Sequence, residues 1–187
     1  MKSAGLSAIA CLLLLVGNVR AANAPAARAT RTFAFQEIQA STTGYVELDW
    51  EKGTLLLTGG ATLITNEFVL TSEKLTIHFG PTGSEPLTEA LAEGKVWLNG
   101  KQKSAKGELH VIEAKADRAD YSRAKQLVVL VGNLAVAHLE EPALKRSYTW
   151  KARTININLK QKKLSAEQGA EITIMLPEEK AAAPGKP

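Results

Sequence analysis

Cysteine is almost absent from this chain: Cys11 is the only one in 187 residues. No disulfide framework can be built on it, and no Cys/His cluster is left to hold a zinc ion. Aromatic residues make up only 5%, so a core must be packed mainly by aliphatic side chains. Proline is sparse: apart from Pro25, prolines stand at 81, 86, 142, 177, 184 and 187, which leaves long stretches free to run as strands. Neither sign of charge dominates. Lys and Arg number 23 against 19 Asp and Glu, for +4 overall, too balanced for a chain that coats nucleic acid. A hydrophobic content of 45% is too rich for a disordered one. No apolar run reaches the ~20 residues a membrane-spanning helix needs.

Catalytic signatures are missing too. G-x-S-x-G, H-E-x-x-H, the phosphate-binding G-x-x-x-x-G-K-[ST] and G-x-G-x-x-G do not occur. His78, His110 and His138 stand alone, and the carboxylate pairs Asp117/Asp120 and Glu140/Glu141 have no nucleophile or oxyanion motif beside them. The expectation is a protein that is not an enzyme, with no metal, no cofactor and no nucleic-acid partner.

What is present begins with a signal-peptide pattern. Lys2 supplies a positive start, Leu6 to Val16 a short apolar core, and Ala22-Asn23-Ala24 a small-residue cleavage site. Cleavage after Ala24 of a segment 1–24 would remove Lys2, Arg20 and Cys11, leaving a net charge of +2. Residues 25–31 read as an Ala-rich linker and 177–187 as a Pro/Ala/Lys/Glu tail, neither apolar enough to offset its ordering entropy. The folded domain is expected over 32–176.

That domain reads as many short strands. Apolar residues alternate at period two, and the alternation places Leu55, Leu57, Leu63, Leu75, Ile77, Phe79, Val128, Leu130, Leu134, Val136, Ile155, Ile157 and Leu159 on inward faces. Thr76, His78, Asn156 and Asn158 fall on the opposite, wet faces. Turn signals separate the runs at Glu51-Lys52-Gly53, Gly59-Gly60, Pro81-Thr82-Gly83, Asn99-Gly100, Gly132-Asn133 and Gln168-Gly169. The pattern predicts an all-β sandwich, barrel or jelly roll. There is also an internal echo. Leu55 to Leu63 matches Val128 to Val136 without gaps, and each copy continues into an alternating strand. Gly59 and Gly132 stand where a strand that bends needs a residue without a Cβ.

The segment Ala116-Asp117-Arg118-Ala119-Asp120-Tyr121, followed by Leu127 to Val131 and by Gly132-Asn133-Leu134-Ala135-Val136, resembles the OstA-like/LptA family of lipopolysaccharide-transport proteins. Its hallmark is A-x-x-A-x-Y followed by L-x-L-x-G-N-V-x-V. The first copy departs from it, with Gly59-Gly60-Ala61-Thr62-Leu63 in place of G-N-V-x-V. The resemblance implies a V-shaped antiparallel β-jellyroll whose apolar interior holds lipopolysaccharide acyl chains in the periplasm. It also implies partners: lipopolysaccharide itself, and related jelly-roll domains of an inner-membrane exporter and an outer-membrane translocon.

Two further features carry competing readings. The clusters Lys101/Lys103/Lys106 and Lys160/Lys162/Lys163 either meet lipid phosphates or keep hairpin loops soluble. Trp50, Trp97 and Trp150 either line an interface or pack ordinarily. At the ends, Thr32 to Gln39 and Glu171 to Leu176 are the outermost strand candidates. Their apolar residues Phe33, Phe35, Ile172 and Ile174 have no Lys or Pro among them, so these edges are expected to support head-to-tail self-association. An exported structural β-protein, assembling through such edges without a lipid ligand, is the alternative.

Overall fold

The computed structural model describes residues 30–35, 38–80, 87–103 and 109–176. The expected signal peptide, all but the end of the linker, the tail, the Pro81-Thr82-Gly83 turn and Lys106 lie outside the described residues.

Among the described residues, eleven strands form one antiparallel sheet: β1 (Arg31–Phe35), β2 (Ile38–Thr42), β3 (Val46–Asp49), β4 (Thr54–Ile64), β5 (Phe68–His78), β6 (Glu89–Lys103), β7 (Leu109–Ser122), β8 (Leu127–Glu141), β9 (Arg146–Asn158), β10 (Lys163–Glu167) and β11 (Glu171–Met175). Arg31, assigned to the linker by composition, already belongs to β1. Pro142, the one proline among the described residues, opens a three-residue turn between β8 and β9. No α-helix occurs among the described residues. The expected all-β jellyroll is the fold observed.

What shapes the sheet is a line of irregularities. Register breaks between Thr58 and Ala61 in β4, Thr71 and Lys74 in β5, Glu93 and Val96 in β6, Lys115 and Arg118 in β7, and Val131 and Ala135 in β8. These bulges neighbour one another across the sheet, so β4 to β9 all bend along one crease and the section is a V. Bulges do this because an extra residue on one strand interrupts the ladder and turns the chain. Each long strand thus contributes one half to each of two facing layers. One layer is extended by β2 and β11, the other by β3 and β10, since β2 and β3 pair with successive parts of β4, and β11 and β10 with successive parts of β9.

Side-chain size beside the crease differs between the layers. In one layer the buried row next to the crease is small: Ala61, Ser72, Val96, Ala116, Ala135 and Ala152. In the other, Ala92 and Ala119 share their row with Leu57, Leu75, Leu130 and Ile155, so bulky side chains of one layer face small ones of the other. Leu55, Leu63, Leu70, Ile77 and Ile157 lie one row farther out and are almost wholly buried. The bends also interrupt backbone hydrogen bonding, and short polar side chains repair it. The Thr42 hydroxyl donates to the Thr58 carbonyl at 2.7 Å and accepts from the Gly44 N–H at 3.0 Å. The Ser72 hydroxyl donates to the Lys74 carbonyl at 2.8 Å, and the Asn133 N–H donates to Asp117 Oδ2 at 2.9 Å. Among the described residues, Thr42 and Ser72 are the two buried polar residues of the core, and no buried side-chain polar atom lacks a partner. Gly59 and Gly60 take positive φ (81° and 88°) at the β4 bend. Gly132 is needed for proximity, since a Cβ there would lie 2.9 Å from Asp117 Oδ2.

The crease corrects part of the sequence reading. Leu134 and Val136 are not inward residues. Alternation from Val128 and Leu130 carries to 134 and 136 only if β8 is regular, but the bulge between Val131 and Ala135 shifts the parity. Ala135 and Ala137 therefore face the core, while Leu134 is 62% exposed and Val136 half-buried. Asn99-Gly100 is not a turn either: β6 runs through it, with Gly100 opposite Phe68 of β5. Gly59-Gly60 and Gly132-Asn133 are bends within strands rather than ends of them. A burial contrast follows. Leu57→Ala should lower stability by about 2–5 kcal/mol, whereas Leu134→Ala should change it by no more than ~0.5 kcal/mol. Chemical denaturation of the two variants measures both.

Candidate functional site

The interior is the candidate site. Of the thirteen residues expected to face inward, ten are buried: Leu55, Leu57, Leu63, Leu75, Ile77, Val128, Leu130, Ile155, Ile157 and Leu159. Phe79 is half-buried and packs against the same cluster. Thr76, Asn156 and Asn158 are half-buried and His78 exposed, on the opposite faces. The structure also brings in Ile38, Phe68, Leu70, Leu87, Val96, Leu98, Ile112 and the crease alanines, which the alternation did not single out. Alanine carries too little hydrophobic signal to mark a face, and Phe68 and Leu70 lie beyond a parity shift in β5.

This interior is filled with side chains, and two clefts lie between the layers at the open side of the V, where the strand ends and turns meet. One, about 220 Å³, is lined by Ile38 and the β4–β5 turn (Thr65, Asn66, Glu67) from one layer and by Leu87, Tyr121, Arg123 and Gln126 from the other. The second is a crevice of about 10 Å³ between His110, Ile112 and Leu139 on one layer and Ile157, Asn158, Lys162, Lys163 and Leu164 on the other. The mouth is closed at its first cleft by an aromatic pair: the rings of Phe68 and Tyr121 meet edge to face with centroids 5.2 Å apart. The lining is aliphatic inside and polar at the rim. Among the described residues no group of His, Cys, Asp and Glu could hold a metal ion.

The histidines have polar neighbours, His78 Nδ1 lying 3.4 Å from the Thr54 hydroxyl. His138 Nδ1 lies 2.9 Å from the Thr149 hydroxyl and Nε2 3.2 Å from Glu140; His110 Nε2 lies 3.7 Å from Glu141. Asp120 forms a two-pronged ion pair with Arg118 at 2.7 and 2.9 Å, an exposed contact of little energetic weight. Trp50 is exposed in the β3–β4 turn. Trp97 is half-buried on the outer face between inward Val96 and Leu98. Trp150 packs against the core beside Tyr148, centroids 5.8 Å apart.

The edge residues have separate fates. Phe33 in β1 is half-buried against the core, and β1 pairs with β2 through Phe35 opposite Ile38. Ile172 and Ile174 in β11 are 56% and 55% exposed although they stand opposite Trp150 and Tyr148. The two ends of the sheet do not pair with each other: β1 and β3 border one side, β10 and β11 the other. The alternation missed β3 and β10 as edges, because four- and five-residue strands are too short to show a period.

Tyr121 offers a test of the mouth. Burial raises its hydroxyl pKa above the ordinary 10.0, the charge of Glu67 adds to the rise, and Arg123 opposes it. A raised folded-state value means that the stabilisation is complete below pH 10 and is lost as pH rises through the folded value. The melting temperature of the wild type should therefore fall relative to Tyr121→Phe above pH 10, the two curves running parallel below it. A constant difference across the alkaline range would show that this hydroxyl is not desolvated.

Comparison with known proteins agrees with this geometry. The family model described as LptA/(LptD N-terminal domain) LPS transport protein matches residues 37–163. Among solved structures, LptH from Pseudomonas aeruginosa, described as the LptA homologous periplasmic component of the conserved lipopolysaccharide transport device, superposes with a TM-score of 0.58. The match covers 80% of this chain and 95% of that one at 16% identity, a likeness of fold. No curated protein sequence matches the chain. The family match spans more than half of the chain and takes in the crease, both layers and the mouth: this protein belongs to the LptA/LptD N-terminal-domain family of lipopolysaccharide-transport proteins.

Proposed function

We propose that the protein is a periplasmic lipopolysaccharide carrier that shields acyl chains between the layers of its V. The carrying observation is an aliphatic interior with two clefts between its layers at the mouth. An acyl chain has no hydrogen-bonding needs along its length, so walls of Leu, Ile, Val and Ala are chemically matched to it. Those walls form one packed cluster, and the layers must part at the mouth for a chain to lie between them. Parting is feasible because the sheet is hinged along the crease and its edges are not joined. The periplasmic assignment draws on the signal-peptide pattern and on the periplasmic relative LptH.

Partners on either side would be related jelly-roll domains of the inner-membrane exporter and the outer-membrane translocon, reached through the open edges. β11 suits this role, because it has one paired side and exposes Ile172 and Ile174 without a guarding lysine. Head-to-tail addition of a second copy uses the same edge and can extend. These exposed isoleucines and the filled core also favour the second reading, a structural β-protein that assembles through its edges and carries no lipid.

Photocrosslinkers separate the two. Placed at Leu63, Leu75 and Ile157 they should trap lipopolysaccharide, while at Thr76, Asn156 and Leu134 they should not. Equal labelling of both sets, or none at the first, would overturn the carrier reading. For the edge, Ile174→Lys should reduce concentration-dependent association in sedimentation with little change in monomer stability; unchanged association would exclude β11 as the contact.

A further inference from the structure

The mouth of the V carries a charge asymmetry that its apolar interior does not explain. Two turns end the same layer there: 123–126 between β7 and β8, and 159–162 between β9 and β10. They are neighbours, since Leu127 stands opposite Asn158 and the Leu159 N–H donates to the Gln126 carbonyl at 2.8 Å. Together they carry Arg123, Lys125, Lys160, Lys162 and, at the start of β10, Lys163, all exposed and with no acid in either turn. Among the described residues, Arg123, Lys125, Lys160 and Lys163 form no ion pair. Among the described residues, acids at this end of the fold stand on other elements, among them Glu67 and Glu141 on the facing layer, the latter beside His110, and Glu89 one strand back, opposite Ser122. Arg123 lines the larger cleft, and Lys162 and Lys163 line the crevice.

Five like charges on adjacent turns repel one another, and scattering them would serve solubility better. Their position gives them another use. An amphiphile whose chains lie between the layers must leave its headgroup at the open side, beside this rim. We infer that the rim formed by Arg123, Lys125, Lys160, Lys162 and Lys163 is a binding site for the phosphate groups of an anionic lipid headgroup. The inference rests on the carrier reading and adds which end of the ligand sits where. Ammonium groups supply point charges to phosphate oxygens, and the Arg123 guanidinium adds a two-pronged donor. The rim lies on one layer only, so it can hold the headgroup while the layers part.

The test titrates the full-length mature protein with three probes: a bisphosphorylated lipid A, the same lipid stripped of its phosphates, and inorganic phosphate. The variants are Lys160→Gln/Lys162→Gln/Lys163→Gln, Arg123→Gln/Lys125→Gln, and the control Lys95→Gln/Lys115→Gln, whose exposed charges lie at the crease, away from the mouth. The wild type and the control should prefer the phosphorylated lipid by at least tenfold, and inorganic phosphate should bind far more weakly. Each rim charge removed should weaken phosphorylated-lipid binding about fivefold and leave the dephosphorylated lipid's affinity unchanged. Circular dichroism and denaturation check that the variants stay folded. A wild type that binds both lipids alike, or rim variants that keep the preference, would overturn the rim and leave the carrier reading standing. Inorganic phosphate as tight as the lipid, with the same dependence on the rim, would make this a free-anion site and overturn the headgroup assignment. A wild type that binds neither lipid would overturn the carrier reading and the rim with it.

Discussion

Everything in this fold depends on the crease. Six strands bend along one line, and the bend turns a single sheet into two layers that face each other. Without it, strands of 11 to 15 residues would form a flat ribbon with one apolar face in water. The bend needs two things from the sequence. Small residues must stand where the layers meet at the hinge, and polar groups must satisfy the carbonyls and N–H groups that bulging takes out of the ladder. Ala61, Ala92, Ala116, Ala119, Ala135 and Ala152 meet the first need. Thr42, Ser72 and Asp117 meet the second.

The same geometry links packing to function. Beside the crease the small residues of one layer face a row of the other that includes Leu57, Leu75, Leu130 and Ile155, and two clefts lie at the opposite, open end. A fold hinged on one side and unjoined on the other can change its interior volume by parting layers without breaking the ladders within each. The Phe68–Tyr121 contact bridges the layers at the point where that parting would begin. Surface ion pairs such as Lys74–Glu93 and Lys95–Glu73, both 2.7 Å, lie within or between neighbouring strands near the bend. Being exposed, they contribute little to stability; apolar burial between the layers contributes far more.

Much of this was legible in the residues. Period-two runs at Leu55/Leu57, Leu75/Ile77, Val128/Leu130 and Ile155/Ile157 locate the core because each lies within one regular half-strand. The echo between Leu55–Leu63 and Val128–Val136 marks two strands, β4 and β8, that both cross the crease. The alternation failed at Leu134 and Val136, just beyond the β8 bulge, where the extra residues reverse which parity faces inward. It also treated Asn99-Gly100 as a turn. An Asn-Gly pair favours one, but β6 continues through it because Gly100 has a strand partner, Phe68, on the neighbouring strand.

The sequence by itself determined the class of fold, the aliphatic character of the interior, the glycines at which strands bend, and the absence of catalytic motifs. Those properties are local: they reside in composition, in alternation over five or six residues, and in short patterns. Only the tertiary structure decided where alternation reverses, which alanines form the hinge, and that both clefts open on the same side. It also decided that the lysines at 160, 162 and 163 stand beside Arg123 and Lys125 from a hairpin more than thirty residues earlier. These depend on register between strands distant in the chain, and register is set by how all the bulges align across the sheet, which no single segment contains.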